Sequence, residues 1–112
     1  MSACIFCRIV SKATPADVVY EDENVLAFHD IHPKYPVHVL IIPKAHLPFV
    51  PEADVSQDAL LGKLLRIGAQ IAAEKGITKT GFRLLTNAGP HSGQIVHHLH
   101  IHLIGGEPLR PL

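Results

Sequence analysis

Within the segment HHLHIHLI, residues 97–104, imidazoles alternate with large aliphatic side chains from His98 to Leu103. Successive side chains of a strand point to opposite faces. Read as a strand, the segment puts His98, His100 and His102 on one face. Leu99, Ile101 and Leu103 take the other, joined by His97. A fold that accepts this pattern needs a sheet with an apolar core on one side and a polar site on the other. Same-face neighbours lie ~7 Å apart along a strand, so three imidazoles cannot all attack one atom. Their roles must divide into one nucleophile and flanking groups that orient it, bind the substrate or move protons. A neutral imidazole nitrogen attacks only if the ring's other nitrogen holds its proton against a fixed acceptor. The residues alone leave open a covalent-catalysis site or a shared metal. Partly exposed histidines on a sheet edge are the least favoured reading of three histidines at period two.

The rest of the chain supplies such a sheet. Val18 to Glu21 and Asn24 to His29 read as two strands of a hairpin turning at Asp22-Glu23. Val37 to Ile42 is a β-branched third strand, set off by the proline-broken loop 30–36 and stopped by Pro43. Asp54-Val55-Ser56-Gln57 has the form of a capping box. It predicts a helix from there to about Lys75, ended by Gly76. Leu60, Leu64, Ile67 and Ile71 form one stripe on it, and Leu61, Leu65, Gly68 and Ala72 lie alongside. This arc is wide for a helix packed on one sheet and could also meet a second subunit. Phe82 to Thr86 is the fourth strand and Ile95 to Ile104 the fifth. The expected class is α+β: a mainly antiparallel five-stranded sheet, one long helix and a short N-terminal helix, in a single domain over residues 1–112.

Ten basic residues balance ten acidic ones. This gives no broad basic field for a nucleic-acid backbone or an anionic membrane. The beginning, MSACIFCRIV, is too short and polar for a signal peptide. No apolar run has membrane-spanning length. A cytoplasmic protein is expected.

His98-Leu99-His100-Ile101-His102-Leu103-Ile104 matches the signature of the histidine triad (HIT) family, in which three histidines alternate with apolar residues. The resemblance covers nearly the whole chain. Residues 5–47 and 81–112 are similar to the two halves of the Hint branch, and the ending GGEPLRPL to its bacterial members. That branch consists of purine nucleoside phosphoramidases, which cleave the P–N bond of adenosine 5′-phosphoramidate to AMP and an amine. The resemblance implies His100 as nucleophile, through a nucleotidyl-histidine intermediate. It implies His102 as a phosphate and leaving-group contact, His98 as the residue whose carbonyl orients His100, and His38 as the fourth member of the cluster. It places Asp30 on the ribose hydroxyls, with Phe28, His29 and Ile31 around the base. Asn87, Gly93 and Gln94 fall near the phosphate, where backbone N–H groups and an amide would stabilise charge. Ile95 stands where a serine often contacts phosphate, and His97 where a tyrosine is usual. The first departure implies a changed rate or leaving-group preference; the second is read as a packing position or crowded edge facing away from the triad. No cofactor is needed for the chemistry. The resemblance also implies a homodimer paired through the long helix and a strand. Two rivals share the same triad: a dinucleoside polyphosphate hydrolase, which the Hint-like ending disfavours, and a nucleotide-binding scaffold protein with slow turnover.

Cys4 and Cys7 are the only cysteines, spaced C-x-x-C. In a reducing compartment this spacing suggests a metal or a redox pair before a structural disulfide. Some HIT proteins join such a pair to a histidine after Pro-Lys-x and to the first triad histidine as zinc ligands. Here those residues are Cys4, Cys7, His46 and His98. Two thiolates and two imidazoles would make a closed, structural site. The competing reading is two reduced cysteines packed as small hydrophobes beside Ile5 and Phe6. A thioredoxin-like redox pair is weaker still, because nothing else resembles that arrangement.

Overall fold

The computed structural model describes residues 3–112. Five antiparallel strands carry the fold: β1 (Val18–Glu21), β2 (Val25–His29), β3 (Val37–Pro43), β4 (Phe82–Leu85) and β5 (Ile101–Gly105), in the spatial order β1-β2-β3-β5-β4. A short helix, α1 (Ile5–Val10), precedes the sheet, and a long one, α2 (Asp58–Glu74), connects β3 to β4. The expected class and element order are therefore found.

Residues paired across antiparallel strands share a face. Phe28, Leu40 and His102 are cross-strand partners in sequence, as are His38 and Ile104. Phe28, Leu40, Leu26 and Ile42 form an apolar cluster with Phe6 and Ile9 of α1. Val25, Ala27, Val39, Ile41, Ile101 and Leu103 form the other cluster, with Leu64, Ile67, Ile71 and Ala72 of α2. The sheet thus has a thick core under α2 and a thinner one under α1. The triad lies on the α1 side.

Both ends of α2 follow from its sequence. Asp54 accepts the Ser56 N–H, and the Gln57 side chain accepts the Asp54 N–H, completing the expected capping box. Residues 55–57 form one tighter 3-10 turn before α2 proper. At the other end Gly76 takes a positive φ of 74°. The Gly76 N–H bonds to Ala73 O and the Ile77 N–H to Ala72 O, a Schellman stop.

The fifth strand is shorter than its alternation predicts. It begins at Ile101, not Ile95. The backbone of residues 98–100 has other partners: the Leu99 N–H donates to Leu47 O (2.6 Å), and the His100 carbonyl accepts the Thr86 hydroxyl (2.9 Å). Outside the ladder the alternation persists through packing. Leu99 is buried in the α2 core, while the rings of His98 and His100 meet Phe6 edge-on.

Candidate active site and metal cluster

A cavity of about 700 Å³ opens on the α1 face of the sheet. Phe28, His29, Asp30, Ile31, Asn87, Gly93, Gln94, Ile95, His100 and His102 all line it, as does His38. The sequence reading missed its apolar wall, formed by Ile5, Phe6 and Ile9 of α1 with Leu40 of β3. The only signal for that wall was the apolar spacing between and after the cysteines. Ile31 and Ile95 stand 84% and 86% exposed, so the cavity mouth is apolar too. His97 is exposed and does not line the cavity.

The hydrogen bonds fix the tautomer of each histidine in turn. His100 Nδ1 lies 2.7 Å from the His98 carbonyl oxygen. A carbonyl only accepts, so the His100 proton sits on Nδ1 and Nε2 keeps its lone pair. His98 Nε2 lies 2.8 Å from Pro43 O, so that nitrogen is the donor and His98 Nδ1 carries a lone pair. His38 Nδ1 accepts the backbone N–H of Lys34 at 3.0 Å, which puts the His38 proton on Nε2. His38 Nε2 is 3.0 Å from His102 Nδ1, and the N–H donates to it. His102 must then carry its own proton on Nε2. One imidazole of the row offers a lone pair, its neighbour an N–H, and the two rings are 4.9 Å apart between centroids.

Burial favours the neutral form of His102, His38 and His98. Burial, helped by the nearby His100 and His38 rings, pushes His102 down to about 4. His38 is lowered by burial, with Asp30 acting in the opposite sense. His98, fully buried, is likewise lowered by burial.

Asn87, Gly93 and Gln94 come from the stretch between β4 and β5. The Gln94 side chain is spent inside that loop. Its carbonyl accepts the Gly89 N–H (2.8 Å), and its amide donates to Pro48 O (3.0 Å) and Val96 O (3.2 Å). Gln94 therefore holds the loop's shape, and its amide is not turned to a substrate. Gly93 takes a positive φ of 87° at the end of the 3-10 turn Pro90–Ser92, a geometry suited to glycine.

Behind the triad, Cys4, Cys7, His46 and His98 converge, each offering one ligand atom, all within 4.8 Å of one another. His98 Nδ1 lies 3.3 Å from Cys4 Sγ and 3.5 Å from Cys7 Sγ, and His46 Nδ1 lies 3.2 Å from Cys7 Sγ. A tetrahedral zinc with ordinary bond lengths would set S···N edges of about 3.6 Å. The His98 tautomer suits a metal, because the Nδ1 lone pair faces the thiols while Nε2–H is held by a carbonyl. These residues fit a metal ion. Asp30, His38 and His102 also bring ligand atoms within that range. There the Lys34 N–H forces a proton onto the His38 nitrogen that would ligate, so the cluster is a hydrogen-bonded one.

Comparison with known proteins agrees with this geometry. The family model described as the HIT domain matches residues 11–109. The purine nucleoside phosphoramidase of Escherichia coli K12 is 43% identical over 108 residues, covering 96% of this chain and 91% of that protein. A HIT-like protein of Synechococcus elongatus is 50% identical over 105 residues, covering 94% and 91%. Among solved structures, a histidine triad protein from Clostridium difficile superposes with a TM-score of 0.96 at 38% identity, covering 100% of this chain and 97% of that one. A HIT family hydrolase from Clostridium thermocellum gives 0.95 at 43% identity, with coverage of 100% and 97%.

Proposed function

The chain belongs to the HIT domain family, and from that membership we propose that it hydrolyses the P–N bond of adenosine 5′-phosphoramidate and similar purine nucleotides. One observation carries the mechanism. His100, on the cavity wall, has its Nδ1 proton pinned on the His98 carbonyl, so its Nε2 lone pair is the nucleophile. That nitrogen attacks the α-phosphorus. The N–P bond to His100 forms as the P–N bond to the leaving group breaks. The electron pair departs with the amine nitrogen, which takes up a solvent proton. Water then attacks the nucleotidyl-histidine, giving AMP and restoring His100. His102 Nε2–H donates toward the phosphate oxygens and the leaving group, where negative charge gathers. Asp30 takes the ribose hydroxyls. Phe28, His29 and Ile31 surround the base, and the apolar wall from α1 supports that part of the cavity. Asn87 and the backbone around Gly93 border the phosphate.

Zinc suits the cluster of Cys4, Cys7, His46 and His98. With four protein ligands it would have no open position, so its part is structural. It would tie α1 to the segment that carries the triad. The thiolate pair calls for a reducing compartment, and we place the protein in the cytoplasm. A homodimer is supported by β4 at the sheet edge and by Leu65, 49% exposed on α2. Pairing these elements would join two sheets and cover the rest of the helix arc.

The test is AMP release from adenosine 5′-phosphoramidate. The native chain is expected to turn it over, and His100→Asn to lose ~10³-fold or more in rate while AMP still binds. Retained turnover in His100→Asn would remove the nucleophile assignment. AMP binding without any release by the native chain would leave a binding protein.

A further inference from the structure

The cavity contains a second chain of contacts, behind the nucleophile. Asp30 follows β2 and Lys34 lies in the same loop, and both grip His38 at the start of β3. The Asp30 N–H donates to the His38 carbonyl (3.0 Å), and the Lys34 N–H to His38 Nδ1 (3.0 Å). Asp30 Oδ1 is occupied by the His32 N–H at 2.8 Å. Asp30 Oδ2 lies 3.4 Å from His38 Nε2, the same N–H that donates to His102 Nδ1 at 3.0 Å. His38 is only 5% exposed and Asp30 20%. The His38 N–H is thus donated to the back of His102, with a carboxylate oxygen close beside it.

We propose that Asp30 is a positioning residue for His102, acting through His38, so that sugar recognition and the donor aimed at the leaving group are coupled. This rests on the reading of Asp30 as the ribose anchor and His102 as that donor. A ribose hydroxyl that donates to Asp30 Oδ2 competes with His38 Nε2–H for that oxygen. The His38 N–H then goes wholly to His102 Nδ1, and His102 is held as the Nε2–H tautomer with a fixed ring orientation. No proton passes along the chain. His38 has none to spare, since its Nδ1 already accepts from Lys34. The coupling sets an orientation, as the carboxylate of a catalytic triad does for its histidine. A correct ribonucleotide would then improve its own turnover as well as its binding.

Asp30→Asn tests this sharply. The asparagine oxygen keeps the His32 N–H, which turns the amide NH2 toward His38 Nε2–H. Two donors then face each other, and the His38–His102 contact is disturbed. In the native chain, 15N spectra of the imidazoles should show Nδ1 unprotonated and Nε2 protonated for both His38 and His102. Adding AMP should shift the His38 and His102 signals while leaving that assignment unchanged. In Asp30→Asn the Lys34 N–H still keeps the His38 proton on Nε2, but the His38 and His102 ring signals should shift, with the backbone amide spectrum elsewhere preserved. At saturating adenosine 5′-phosphoramidate, kcat should fall at least about tenfold, beyond any rise in KM. A variant that raises KM alone and leaves the His102 signals in place would overturn the proposal and reduce Asp30 to a ribose contact. Native imidazole signals indifferent to AMP would overturn it as well. Failure of the native chain to release AMP is a different result, which strikes the assigned reaction. The imidazole spectra of native protein and variant still decide the coupling in that case.

Discussion

Each imidazole of the cluster is assigned its chemistry by a partner it does not choose from sequence. The alternation of residues 98–103 shows which histidines share a face. It does not show that His100 holds its proton on Nδ1, because the acceptor is a backbone carbonyl two residues earlier. Nor does it show the His38 tautomer, which depends on the peptide N–H of Lys34. Backbone groups carry no residue identity, so the residues alone left this layer open; the family resemblance pointed to the His98 carbonyl, and nothing pointed to the Lys34 N–H. The same burial has a consequence for pH. In the unfolded chain a histidine binds its proton near ~6.5. In the folded chain His102 does so only at about 4, and His38 is lowered as well. Between those values the unfolded state binds more protons, so acid favours unfolding. Stability is expected to be level above ~pH 7 and to fall as pH drops from ~6.5 toward 4. Denaturant midpoints across that range measure it, and His102→Asn should flatten the fall. A midpoint that rises on acidification would contradict the assignment of neutral rings.

At the scale of elements, local chemistry reads well and length reads poorly. The capping box at Asp54 and Gln57 and the stop at Gly76 were legible because each is a short motif with a defined bond pattern. The shortened β5 was not legible. Apolar alternation already runs through residues 98–100, yet Leu99 and His100 bond to Leu47 and Thr86 and leave the ladder. Period two reports which face a side chain takes, whether or not the backbone is paired. Gln94 shows a similar limit: the resemblance places the residue near the phosphate, but the loop consumes its amide. On α2 the two neighbouring leucines should separate cleanly. Leu64 is fully buried and Leu65 is 49% exposed. Leu64→Ala should cost ~2–5 kcal/mol in chemical denaturation. Leu65→Ala should cost under ~1 kcal/mol in a monomer and should shift sedimentation toward the monomer if α2 is the pairing face. Equal losses for both would mean that the helix is rotated from its observed packing.

The whole molecule is a sheet used on both sides, with α2 covering one face and α1 leaving room for a cavity on the other. Among the described residues no helix is long and apolar enough to cross a membrane. α1 has only six residues and a small apolar cluster, so its attachment draws on the cluster of Cys4, Cys7, His46 and His98. His98 stands at the junction. Its side chain faces the thiols, and its carbonyl holds the His100 ring. Protein purified without added metal should carry about one zinc per chain. Stripping it with a chelator should lower the melting temperature by ~5 °C or more and slow AMP release. A metal-free preparation that melts at the same temperature would return Cys4 and Cys7 to the role of packed thiols.

The central claim is that His100 forms a covalent bond to the nucleotide's phosphorus. Intact-protein mass recorded during turnover of adenosine 5′-phosphoramidate, with the modified peptide then sequenced, tests it most directly. The account predicts a transient nucleotidyl adduct on His100 that disappears as AMP accumulates and is absent in His100→Asn. AMP release with no adduct at any time, or an adduct on another residue, would contradict it.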